Sequence, residues 1–67
     1  MVDKQRYDVL AVSKATGLVK VEGLNCNRAQ AWRIARDGAY EKPRLLWLIV
    51  PTGTYKDGDH YPKEEQQ

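Results

Sequence analysis

Tyr7 to Val12 is apolar apart from Asp8 and reads as a strand, with Tyr7, Val9 and Ala11 on one side. Leu18 to Glu22 reads as a second strand, in which apolar and polar positions alternate from Val19, Val19 and Val21 sharing one side and Lys20 and Glu22 the other. A period of two marks a strand, and the turn-like Ser13 to Gly17 between the runs predicts a β-hairpin. Gly23-Leu24-Asn25 reads as the connection out of it. The period then changes. Ala31, Ile34, Ala35 and Gly38 follow the i, i+3, i+4, i+7 spacing of a helix packed on a sheet, and Ala and Gly at such positions permit a close approach. Both ends of this helix are marked. Asn27 and Gln30 have capping-box spacing, Gly38 suits the left-handed residue that ends helices, and Pro43 bars continuation. Arg44 to Val50 is apolar on both sides after its first residue, which predicts a strand covered on both faces or facing a partner.

The predicted order is therefore β-β-α-β, an α+β domain. It has a three-stranded antiparallel sheet in spatial order 2-1-3, with one helix packed on one face. Pro51 and Thr52-Gly53-Thr54 open a turn-rich stretch, and Lys56-Asp57-Gly58-Asp59 carries a strong turn signal at Asp-Gly. A single domain over residues 1–59 is expected, with residues 60–67 as a polar, flexible C-terminal tail. The sheet face away from the helix would carry Leu10, Val12, Leu18, Leu46 and Leu48. With one helix in the chain, that face needs the tail, a second copy or a target to cover it.

Size sharpens this requirement. A chain of 67 residues forms one domain and buries only about 60% of the surface its unfolded form exposes. There is no Phe, and four Tyr and two Trp supply the aromatic bulk. All six carry a polar group that wants a partner when buried. The formal charge is +2, small for a non-specific nucleic-acid binder. By segment it is +1 over residues 1–23, +2 over 24–43 and −1 over 44–67, so positive charge gathers on the helix. One cysteine excludes an intramolecular disulfide. No signal-peptide pattern opens the chain, and Leu45 to Val50 is too short to cross a bilayer, so a cytoplasmic protein is expected.

Little in the chain points to catalysis. Cys26 and His60 are the single thiol and imidazole. Cys26, just before the helix cap, reads as a small apolar staple toward Ala31, and His60 as a solvated surface residue. Asp57-Gly58-Asp59-His60 has too few ligands at the wrong spacing for calcium and reads as an acidic turn. Asp57, Asp59, Glu64 and Glu65 fall in a polar stretch where nothing would perturb them. Gly53 and Gly58 make no phosphate-binding fingerprint. No enzyme, metal, cofactor or small-molecule substrate is expected.

The remaining feature is a row on the helix. Arg28, Trp32 and Arg36 are four apart and line up along one side, with Arg33 adjacent. Arginine forks onto carboxylate or phosphate, and tryptophan fills a pocket on a protein or stacks on a base. The plainer reading is a solubilising face with Trp32 half-buried beneath an arginine. Arg28, Trp32, Arg33 and Arg36, with Leu46 and Leu48 on the open sheet face, form the candidate partner-binding set.

The segments Ala29-Gln30-Ala31-Trp32-Arg33-Ile34-Ala35-Arg36 and Leu48-Ile49-Val50-Pro51, about half the chain, resemble small proteins of bacteriophages and prophages. That class includes anti-CRISPR-type inhibitors built from a little sheet and one helix. The resemblance implies a phage-encoded inhibitor that binds a host complex, and it transfers no site residue. The expected partner is thus a protein, either a host complex or a second copy of the chain. Nucleic-acid binding through the Arg/Trp face is the alternative, and no membrane is involved.

Overall fold

The computed structural model describes residues 5–62. Its elements are β1 (Tyr7–Ser13), β2 (Val19–Cys26), α1 (Arg28–Glu41) and β3 (Leu45–Pro51). The three strands form one antiparallel sheet in the order β2-β1-β3, the predicted topology. β1 lies in the middle. Pairing on both edges and cover on both faces leave Val9 and Leu10 without solvent exposure and Ala11 and Val12 nearly so.

Directly paired residues share a face of the sheet. Val9 and Cys26 lie on the helix side and cluster with Ala31, Ile34, Ala35 and Trp47. Helix and sheet meet closely at Gly38, where a Cβ would overlap the far edge of the Trp47 indole. The ring is not free to swing away, because its Nε1 donates to the Lys42 carbonyl at 3.1 Å. The expectation that Gly38 ends the helix is therefore corrected. The helix runs on to Glu41, and Lys42 closes it with φ −130° and its N–H on the Gly38 carbonyl. Glycine is needed here for space, not for a left-handed turn. The other end is as predicted, since Asn27 and Gln30 form both bonds of a capping box.

β2 also differs from expectation, running to Cys26 instead of stopping at Glu22. Its pairing with β1 shifts register twice, between Tyr7 and Val9 and between Val9 and Leu10. Asn25 adopts φ +56°. Gly23 and Asn25, which read as loop residues, are instead part of a bulged strand: Gly23 pairs with Val9 beside the skipped Glu22, and Asn25 lies in the second irregularity.

The sheet face away from the helix is covered by the chain itself. Tyr55 is buried in a cluster with Leu10, Val12 and Val19, and Val21, Leu48, Val50 and Tyr61 pack against it. The Tyr55 and Tyr61 rings lie 5.7 Å apart. The segment then runs beside β2: Val19 N–H donates to the Asp59 carbonyl (2.8 Å), Gly58 N–H to Val19 (2.9 Å) and Tyr61 N–H to Gly17 (2.7 Å). Leu18 and His60 form a bridge. His60 and Tyr61, assigned from sequence to the tail, are thus paired into the domain, while residues 63–67 lie outside the described residues.

Asp8 anchors the start of this wrap. It is fully buried on the covered face. One carboxylate oxygen accepts from Asn25 N–H (2.9 Å) and from the Thr52 hydroxyl. The other accepts from Gly53 N–H (3.1 Å), where φ is +88°. Burial pushes the Asp8 pKa up, but these three donors outweigh it and hold the group below the ordinary aspartate value. One charge thereby ties the central strand to the bulge of β2 and to the corner after β3.

Two outcomes follow. Gly38→Ala should lower stability by about 1–2 kcal/mol, because overpacking against Trp47 exceeds the gain in helix propensity; denaturant unfolding would show a lower midpoint, where an uncrowded site would show a higher one. Asp8→Asn should cost about 1–3 kcal/mol at neutral pH. Because the folded pKa lies below the unfolded one, Asp8 stabilises above about pH 4 and loses that contribution as pH falls through its folded pKa. Thermal melts should therefore show the wild type losing more stability than Asp8→Asn between neutral pH and pH 3.

Candidate functional site

The outer side of α1 is solvent-facing, and the helix period places Arg28, Trp32, Arg36 and Tyr40 in a single row on it. The row is about 18 Å long at 1.5 Å per residue. Trp32 is 59% exposed and Tyr40 89%. The Arg36 guanidinium carbon lies 5.6 Å from the centre of the Trp32 ring, within cation–π range. Arg33 and Ala29 flank the row, and with Arg28, Trp32 and Arg36 they line an open depression. The small Ala29 leaves room there for an incoming group.

The electrostatics favour an anionic partner. The row itself carries two arginines and no acid. Asp37, the nearest carboxylate, sits 3.7 Å from Arg36 Nε with both side chains largely exposed. Such a pair is screened by water and contributes little, so Arg36 can exchange it for a partner's carboxylate or phosphate at small cost.

The sequence-derived set is divided by the structure. Arg28, Trp32, Arg33 and Arg36 come together on the helix. Leu46 and Leu48 lie on the opposite side of the sheet, paired with Val12 and Leu10. Leu48 packs against the Tyr55 cluster and Leu46 is 37% exposed, so the apolar face proposed as a contact is largely occupied by the protein's own segment. Trp32, half-buried beneath an arginine in the plainer sequence reading, does carry Arg36 over its ring but is a surface residue. Tyr40, four residues after Arg36, extends the row by a position that the sequence-derived set did not include. Asp8 was missed because its donors come from the bulge at Asn25 and the corner at Thr52 and Gly53, which are distant in sequence.

The remaining reactive groups have structural roles. Cys26 is buried in the helix-side cluster with Ala31, consistent with a staple across the cap. Asp57 accepts from Val21 N–H at 2.6 Å, and Asp59 accepts from Lys56 N–H at 2.9 Å. Asp57 thus fastens the Asp-Gly turn to β2, and Asp59 closes the turn on itself. Among the described residues, no three His, Cys, Asp or Glu side chains gather where they could hold a metal ion, and no helix is long and apolar enough to cross a membrane.

Comparison with protein families, with curated proteins and with solved structures found no match. The site therefore stands on its own geometry.

Proposed function

We propose that the protein is a non-catalytic binding module that docks the outer face of α1 onto a protein partner, as a phage-encoded inhibitor covering a surface of a host complex would. Trp32 carries this reading. A tryptophan this exposed adds little to the fold, and it stands in a row whose other members are arginine and tyrosine. Trp, Tyr and Arg are the residue types that dominate binding energy at protein interfaces. Arg36 over the ring restrains both side chains before contact, which lowers the entropy lost on docking. The partner that fits is an apolar slot for the indole rimmed by carboxylates for Arg28, Arg33 and Arg36.

The alternation of arginine with aromatic rings supports a second reading, nucleic-acid binding. In it the arginines would meet phosphates and Trp32 and Tyr40 would stack on bases. The net charge of +2 and the absence of a long basic track put protein first.

Affinity capture from a bacterial lysate with the wild type and a Trp32→Ala/Arg36→Ala variant separates these readings. Both side chains are exposed, so the variant should keep its stability within about 0.5 kcal/mol. Proteins retained by the wild type should fall about tenfold or more with the variant, and added oligonucleotides should not compete. Equal retention by both baits, or none by either, would contradict protein docking. Oligonucleotide binding that weakens steeply with salt and is lost in Arg33→Ala/Arg36→Ala would establish the second reading instead.

A further inference from the structure

The two edges of the sheet are unlike. The outer edge of β2 is occupied over residues 17–21 by the chain's own 57–61 segment. β3 is outermost on the other side. Thr52 N–H donates to the Arg6 carbonyl, continuing the β1–β3 register. Antiparallel bonding alternates along a strand, so Val50, Leu48 and Leu46 also bond inward to β1. The N–H and C=O groups of Trp47 and Ile49 therefore point outward, and among the described residues no backbone bond from another part of the chain reaches them. The usual defences of such an edge are lysines, a bulge or a central proline. Leu45–Pro51 contains no charged residue, its register with β1 is unbroken, and its one proline is the last residue.

We infer that β3 is the interface of a symmetric homodimer, in which two copies pair antiparallel along this edge to make a six-stranded sheet. The strand is self-complementary about Leu48. With the two-fold axis there, Trp47 faces Ile49 of the second copy, and each exchanges both backbone bonds with the other. The N–H and C=O groups of Trp47 and Ile49 in each copy are then all satisfied. Side chains match as well, with Leu46 facing Val50 and Leu45 facing Pro51 of the second copy. No charge lies opposite a charge, and the half-exposed Leu46 and Ile49 each gain an apolar neighbour. The neighbouring registers are poorer. A shift one way sets Trp47 opposite Pro51, which has no N–H. A shift the other way sets Ile49 opposite Leu45, whose N–H is already engaged by Lys42. A two-fold axis perpendicular to the sheet leaves both helices on one face, so the dimer presents two arginine–aromatic rows side by side.

Light scattering on the full chain should show a mass near twice 7.7 kDa as concentration rises toward about 1 mM, and 7.7 kDa on dilution. Amide exchange followed by NMR should slow by about tenfold or more at Trp47 and Ile49 over the same range, with Leu46, Leu48 and Val50 protected throughout. Ile49→Pro removes an outward N–H and no bond to β1, so it should give a monomer with unchanged circular dichroism. Leu24→Lys on the opposite edge strand should stay dimeric. A monomeric mass at the highest concentration overturns the proposal, as does a dimer whose Trp47 and Ile49 amides stay unprotected. A dimer abolished by Leu24→Lys but kept by Ile49→Pro also overturns it. If Ile49→Pro fails to fold, exchange in the wild type decides alone.

Discussion

β1 is bonded along both edges and covered on both faces, and everything else in this small domain follows from having to cover it. Its four central residues, Val9 to Val12, form half of the buried apolar core. A three-stranded sheet with one helix has cover for one face only. The chain meets the need on the second face with an irregular segment whose two tyrosines lie over Leu10, Val12 and Val19. Such a segment has no helical or sheet ladder to hold it in place, so its backbone is secured point by point. Asp8 holds its start, and the Val19, Gly17 and Asp57 bonds hold the rest. Burying the Asp8 charge is tolerable because its donors are fixed by a bulge and a tight corner, which favour the ionised form.

The architecture was legible because three strong local signals agree with the tertiary solution: the hairpin alternation, the Asn27–Gln30 cap and the helical spacing of Ala31, Ile34, Ala35 and Gly38. The misreadings share one cause. Gly23, Asn25 and Gly38 were interpreted from what their residue types do in isolated turns, whereas here each is set by a long-range neighbour. Gly38 answers to Trp47, nine residues on, and Asn25 to Asp8. Tyr55 and Tyr61 were hidden for a related reason, since cover supplied by an irregular segment has no periodicity to detect. The arginine row was legible as chemistry, and so was the placement of Leu46 and Leu48 on the other sheet face; what spacing could not say is that Tyr55 and Tyr61 would cover that face.

Self-coverage has a functional consequence. With the second face closed by the chain and the helix-side core sealed beneath Gly38, the large apolar groups left in solvent on α1 are Trp32 and Tyr40, both in the arginine row. A rigid helix anchored by a capping box at one end and by Trp47 near the other presents them with little backbone freedom to lose on docking. The fold thus spends its few residues on a scaffold that holds the arginine–aromatic row on α1 in solvent.

Hydroxyl-radical footprinting of the free protein, read ring by ring, tests this account most directly. Trp32 and Tyr40 should be modified rapidly and Tyr55 slowly. Tyr55 reacting as fast as Tyr40 would mean that the second sheet face is open, and the claim that the chain covers its own core and leaves the aromatic rings of the α1 row in solvent would fail.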